Sequence, residues 1–258
     1  MTGQSSAKSS WIAVAIARVI VIVTVLGLWE FAAHTGLVDP ALIGQPSGIA
    51  KSLADGLFQG GDLIKELGWT LASTLIAFVL GAAAAIAVGM LFVLLPTVET
   101  VLDPFLSALN SMPRIALAPM LIVWFGLGVG SKIAIGFSLV FFIVLQSTIA
   151  GGRNINADHV TLSRTLGLKP AALFWSVTMP SAVPVMFAGL RLGLVASLLG
   201  VVGGEIIASE HGLGQRVAYL ANSFDMNGVW SVLVLLALVG MVLTWSLDKL
   251  EMHLLRWR

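Results

Sequence analysis

Six stretches of almost unbroken apolar sequence, at residues 11–31, 69–95, 101–125, 133–149, 185–207 and 229–247, fix what this chain can fold into. Each has the length of a helix that crosses the hydrocarbon core, about 17–25 residues, or slightly more. Backbone in lipid must satisfy its own polar groups, so only helices and closed barrels cross it. The runs are continuous rather than alternating, which predicts helices. Composition decides against a soluble bundle: 58% of the residues are hydrophobic and 10% charged, against about 25% charged in a soluble domain. Such a chain cannot cover a water-facing surface and has lipid as its surroundings. The expectation is all-α, a single transmembrane domain over residues 1–258. The run at 11–31 exceeds the roughly 7–15 apolar residues of a signal peptide and reads as an uncleaved span.

Charge and side-chain chemistry exclude whole classes. Formal net charge is +1, so there is no basic footprint for nucleic acid. Cysteine is absent, which removes disulfides and thiolate metal sites. His34, His159, His211 and His253 are too scattered to form a ligand motif. The nearest approach to a phosphate-binding loop, residues 45–52, has Gln45 and Ala50 where its two glycines belong. Nothing reads as a hydrolytic or metalloenzyme motif. The chain reads as no enzyme, holding no cofactor of its own.

The spans carry internal signals. Gly81, Ala85 and Gly89 recur at four-residue spacing, as do Gly189, Gly193 and Ser197, and Ala196, Gly200, Gly204 and Ala208. Small residues in such rows let membrane helices approach closely. Residues 96–103 read as a tight acidic turn. The third run is interrupted at Met112-Pro113-Arg114 and again at Pro119. Prolines remove backbone bonds, and breaks at membrane depth need protein or water to satisfy the freed groups. Asn110, Pro113 and Arg114 therefore mark a candidate polar path, with Arg191 inside the fifth run. Glu205, near the end of that run, is a candidate gate residue that ties the loop at 209–227, with its Gly212-Leu213-Gly214 turn, to the bundle. With the N-terminus inside, Lys8, Arg153, Arg164, Lys169, Lys249, Arg256 and Arg258 are cytoplasmic, against Lys51, Lys65, Lys132 and Arg216 outside. The positive-inside bias thus places both termini in the cytoplasm of a multi-pass protein of the cell membrane.

Between the fourth and fifth runs lies a polar interruption at 151–184, where Arg153, Asn154, Asn156, Asp158, His159, Arg164 and Lys169 collect. Short helices are expected at 161–166 and 171–178, separated by Gly167 and Pro170. Leu166, Leu168, Leu173, Phe174 and Trp175 give this segment more apolar area than a solvated loop needs, and such a patch marks a partner site. A secondary transporter, a channel or a membrane scaffold remain as alternatives, but no internal repeat is visible and a scaffold would not need the broken span.

The interruption resembles the cytoplasmic loop of permeases from ATP-binding-cassette importers, with the pattern Glu-Ala-Ala-x3-Gly-x9-Ile-x-Leu-Pro. Gly167, Val177, Met179 and Pro180 fall in register, whereas Thr161, Leu162 and Ser163 stand in place of Glu-Ala-Ala. Pro113-Arg114-Ile115-Ala116-Leu117-Ala118-Pro119, Trp124-Phe125-Gly126-Leu127-Gly128, Ala188-Gly189-Leu190-Arg191-Leu192, Gly204-Glu205, Gly212-Leu213-Gly214 and Arg256-Trp257-Arg258 are similar to the group that imports nitrate, bicarbonate, taurine and other sulfonates. The resemblance implies a six-helix bundle of the MetI-like type. It also implies a complex of two permease copies, two ATPase subunits that hold ATP and Mg, and an extracytoplasmic substrate-binding protein. By position, Thr161, Arg164, Leu166, Gly167, Leu168, Lys169, Pro170 and Phe174 would form the surface coupled to the ATPase.

Overall fold

Helix follows helix along the chain, as the apolar runs require, and no strand occurs among the described residues. The computed structural model describes residues 3–60, 62–154, 161–163 and 165–256. In order, the helices are α1 (Gly3–His34), α2 (Pro40–Ile43), α3 (Pro46–Phe58), α4 (Asp62–Leu94), α5 (Pro96–Ser111), α6 (Ala118–Phe125), α7 (Val129–Arg153), α8 (Pro170–Leu173), α9 (Met179–Ile207), α10 (Leu213–Asn222) and α11 (Met226–Leu254). Among the described residues, five helical stretches are long and apolar enough to cross a membrane, and the α5–α6 pair, bent by 83°, supplies a sixth if it counts as one broken span.

Three stretches depart from the sequence-based expectation. Residues 96–103 are no turn: Pro96 opens α5 at its first position, where its missing N–H costs nothing, and Glu99 sits in the first turn. Pro119 does not break the third span, because it also lies in the first turn of α6. The helix leading into the fifth span starts well before residue 185. A π-turn at Phe174–Thr178 joins α8 to α9, and its last bond runs from Met179 N–H to Phe174 O. This wider turn makes room for the ring of Pro180, so the helix continues through it.

The chain divides into two compact units. The first comprises the described residues of Met1–Asp62 together with Tyr219–Leu235. Its polar contacts gather where α1, α2 and α3 meet the start of α11. Glu30 of α1 accepts from Ser47 N–H at 2.9 Å and from Ser47 Oγ at 2.6 Å. It thereby caps α3, whose own N-cap residue Gln45 makes no side-chain bond. Gln45 N–H in turn donates to Asn227 Oδ1 at 2.8 Å. Trp29 and Trp230 pack edge to face and donate to the carbonyls of Gly44 and Ile43.

The second unit, Leu63–Ala218 with Leu236–Arg258, holds the bundle core. Helix α7 is packed between α4 and α9. A Cβ added at Gly81 would lie 2.9 Å from Val140, and one at Gly89 2.7 Å from Thr148, while Ala85 between them is fully buried. From the other side, a Cβ at Gly189 would lie 2.2 Å from Ser147 Cβ, and one at Gly193 3.0 Å from Val144. Ser197 Oγ donates to Thr74 O across the layer at 2.9 Å. The small-residue rows are therefore helix-packing surfaces, close enough for backbone to meet side chain. Gly189→Val is expected to force α7 and α9 apart, at a cost of at least the ~1–3 kcal/mol typical of overpacking. Gly27→Ala, at a position with no atom within 4 Å, serves as the control. Thermal unfolding in detergent should show a lowered midpoint for the first and none for the second.

Candidate functional site

Three constellations carry chemistry, and the first is the break in the third span. Met112, preceding Pro113, is pushed into extended backbone (φ −72°, ψ 134°), which ends α5. The carbonyls freed there are taken up locally. Arg114 Nε donates to Met112 O at 3.1 Å, and Ala116 N–H to Pro113 O at 3.0 Å. The rest of the Arg114 guanidinium bridges to Asn110 Oδ1 (2.9 Å) and to Ser138 O on α7 (3.4 Å), and lies 4.2 Å from the Phe142 ring centroid. Asn110, Arg114 and the bend at Pro113 thus come together. Asn110 and Arg114 line a cavity of about 150 Å³ with Met112, Ser138, Leu139, Phe142 and Ile143.

Arg191 lies elsewhere. Its guanidinium meets Asp248 at 2.7 Å and Glu251 at 2.6 Å, both on α11. Two carboxylates surround that charge, so Arg191 serves as a tie between α9 and α11.

The second constellation is built on Glu205, which is 2% exposed. Its carboxyl group accepts from Thr70 Oγ1 at 3.0 Å and from Gly214 N–H at 2.9 Å. Thr70 Oγ1 itself accepts from Leu213 N–H at 2.8 Å, and Glu66 accepts from Gly212 N–H. Three successive N–H groups at the start of α10 are therefore captured by side chains of α4 and α9. These are the donors that a helix N-terminus leaves open, and carboxyl groups suit that end of the helix dipole. The glycines are required by contact. Gly212 has φ +113°, and a Cβ there would lie 2.2 Å from Glu205 Oε1; one at Gly214 would lie 2.5 Å from Val202 O. Lys132, also buried, holds the carbonyls of Leu127 and Gly128 and lines a small cavity of about 30 Å³ with Glu205, Ser73 and Trp69. His211 stacks on Trp69. The sequence pointed to Glu205 and the two glycines but not to Glu66, Thr70 or Lys132. The four-residue spacing of Glu66 and Thr70 was the available signal.

The third is the turn at Gly167. Residues 161–163 and 165 are helical. Gly167 takes φ +77°, and Leu168 N–H donates to Ser163 O at 3.1 Å, which is a Schellman ending. Thr161, Gly167 and Lys169 are exposed and Leu168 is half-buried. Leu166 is 71% exposed, and Leu162, four residues earlier and unflagged by the sequence, is 59% exposed. Phe174 does not belong to this surface: it is buried (7% exposed) against the edge of Trp175, because the helix continues through it. Trp175 is the exposed member of that pair. Pro170 opens α8. Arg164 lies outside the described residues, as does the stretch at 155–160.

Comparisons with known proteins agree on one family. The profile described as binding-protein-dependent transport system inner membrane component matches residues 77–256. The chain is 32% identical to a formylaminopyrimidine transport permease protein of Halalkalibacterium halodurans, covering 90% of this chain and 91% of that one. It is 29% identical to the taurine transport system permease protein of Escherichia coli, over 90% and 86% of the two chains. A putative aliphatic sulfonates transport permease protein of Bacillus subtilis is also 29% identical, over 91% and 84%. The fold is that of a chain in the inward-facing MetNI methionine ABC transporter, at a TM-score of 0.65 with 20% identity, covering 74% of this chain and 94% of that one. This protein belongs to the family of binding-protein-dependent transport system inner membrane components, as a membrane-embedded ABC permease of the MetI-like fold that is not itself an enzyme.

Proposed function

We propose that this chain is the translocating permease of an ATP-driven importer for a small solute with an oxyanion group, such as a sulfonate, taurine or nitrate. The observation that carries the ATP-driven part is the Gly167 turn. A Schellman-ended helical turn presents Leu162 and Leu166 to the outside on one face, with Trp175 exposed further along. An apolar patch of that kind is suited to insertion in a groove of a partner. The partner is a separate ATPase subunit, two per complex, which binds ATP and Mg²⁺. A second permease copy and an extracytoplasmic binding protein complete the importer. Both termini are cytoplasmic, which puts the Gly167 turn on the ATPase side and the Glu205 constellation on the outer side. Thr161, Leu166, Gly167, Leu168, Lys169 and Pro170 form the coupling surface, and Asn110, Pro113 and Arg114 border the path.

The names of the taurine and aliphatic sulfonate permeases support an oxyanion, while the formylaminopyrimidine permease shows that similarity of this degree does not fix the solute. The test is reconstitution in proteoliposomes with the proposed ATPase and binding-protein subunits. ATP-dependent uptake of taurine or ethanesulfonate is expected, with none when the ATPase is omitted. Full-rate uptake without the ATPase would overturn the ATP-driven reading, and uptake of formylaminopyrimidine alone would overturn the oxyanion.

A further inference from the structure

We infer that the cavity beside the Pro113 break is a selectivity site for one monovalent oxyanion group, held by the Arg114 guanidinium. This deepens the importer reading and rests on it for its role in transport, but binding at the cavity can be measured independently.

Several cations in and around the bundle have partners that can be compared with those of Arg114. Arg191 is held by Asp248 and Glu251, Arg153 by Glu99, and Lys132 by two turn carbonyls. Arg114, like Lys132, is held by neutral oxygens alone among the described residues: a backbone carbonyl, an amide oxygen and a second carbonyl. Unlike Lys132, which borders only about 30 Å³, it borders a cavity of about 150 Å³. A charge in a membrane-spanning bundle is costly and needs a reason to be kept. The guanidinium has five N–H donors in a planar fork, and three contacts engage three of them. Two remain for a ligand.

The surroundings specify the ligand. Asn110 gives its amide oxygen to Arg114, so its NH₂ group is a further donor at the rim of the cavity. Ser138 Oγ is already committed as a donor to Ile135 O at 2.7 Å, so it adds no donor. Phe142 packs on the guanidinium face and leaves the edge of the fork for in-plane contacts. Leu139, Phe142, Ile143 and Met112 make the rest of the wall apolar. One cation, neutral donors and apolar walls suit a weakly hydrated, singly charged oxyanion with two oxygens for the fork. They do not suit a divalent anion, which would leave one charge unmet, or a cation. The cavity, at about 150 Å³, is larger than a single water needs. A sulfonate group and nitrate share this chemistry.

The deciding variant is Asn110→Asp. Asn110 Oδ1 already accepts from Arg114 at 2.9 Å and the residue is exposed. A carboxylate there would pair with the guanidinium in place and leave the packing intact. If Arg114 is only a structural tie across the break, this substitution preserves or strengthens the fold and changes nothing else. If Arg114 is the oxyanion site, the new carboxylate neutralises its charge and replaces the Asn110 NH₂ donor with an acceptor, so an anion is repelled. Titration calorimetry of the full-length chain in nanodiscs, with sodium ethanesulfonate and separately with sodium nitrate, reads binding directly. Wild type should bind at least one of the two, and Asn110→Asp and Arg114→Gln should each weaken binding more than tenfold. Arg114→Lys should retain part of it and change the ethanesulfonate-to-nitrate ratio, since charge persists while the fork is lost. In the reconstituted complex, Asn110→Asp should lower uptake of the bound anion more than tenfold with the ATPase still attached. No binding of either anion by wild type, or Asn110→Asp within twofold of wild type, overturns the site. If binding behaves as stated but no ATPase associates, the ATP-driven reading fails and the site stands.

Discussion

Leu166→Asp is expected to strip the ATPase from the complex and bring ATP-dependent uptake to background, while the permease itself keeps its thermal midpoint. The two halves of that result come from one observation: Leu166 is 71% exposed in the free chain. An exposed leucine exchanged for aspartate changes the monomer within about ±0.5 kcal/mol, as surface substitutions do. On docking, the same side chain would bury. The lost burial is worth about 1.5–3 kcal/mol, and an unpaired carboxylate in an apolar groove adds its own penalty. At about 1.4 kcal/mol per tenfold, the lost burial alone lowers affinity by roughly ten- to a hundredfold, and the carboxylate lowers it further. Leu162→Asp, one helical turn away, should act in the same direction. Gly167→Val tests a different property. Its φ of +77° is a region that a β-branched side chain adopts only with strain, and the Schellman ending would be lost. The apolar side chains remain, so the ATPase should still associate while hydrolysis no longer drives uptake. Co-purification stoichiometry and uptake, measured on the same preparations, separate the two. An intact, active complex with Leu166→Asp would leave the ATPase docked somewhere other than this turn.

What the sequence made legible follows from the range of the interactions involved. The break at Pro113 could be read because proline acts on its own residue and the one before it, and Met112 is extended for that reason. The glycine and alanine rows could be read because helix periodicity brings i and i+4 to one face, and Gly81, Ala85 and Gly89 do face α7. Gly167 could be read because its need for positive φ is local. Partners distant in sequence could not. Arg191 reads from the sequence as a path residue, whereas its partners Asp248 and Glu251 lie some 60 positions on, in the last helix. The spacing of Glu66 and Thr70 puts them on one helix face, but nothing local says that the residues they hold lie more than 130 positions later. Phe174 was misplaced for a different reason. Pro180 and Pro184 read as the end of a loop, whereas a π-turn precedes Pro180 and Pro184 lies inside α9, and continuity of the helix turns Phe174 inward.

Glu205→Ala is expected to release the start of α10 without unfolding the bundle, and to raise ATP hydrolysis in the absence of solute. Glu205 accepts from Thr70 Oγ1 and Gly214 N–H in a site with almost no solvent. Removing it leaves two buried donors without a partner, at about 1–3 kcal/mol each. That cost falls on the turn at residues 212–214, because α7, α4 and α9 pack through contacts that do not involve Glu205. Amide exchange should therefore accelerate at least tenfold at Leu213 and Gly214 and stay near wild type at Val140 and Val144 in the core of α7. Gly212→Ala reaches the same latch from the other side, since its Cβ would collide with the Glu205 carboxyl group at 2.2 Å on a backbone at φ +113°. In the double variant the collision is absent, so the two effects should be strongly non-additive. If the latch is the resting brake on an outer gate, both single variants should hydrolyse ATP faster without solute and depend less on the binding protein. Faster exchange at 213 and 214 with wild-type hydrolysis would reduce Glu205 to a fastener for α10. Unchanged exchange would mean that Glu66 and Thr70, which hold Gly212 and Leu213 N–H from α4, secure the turn without Glu205.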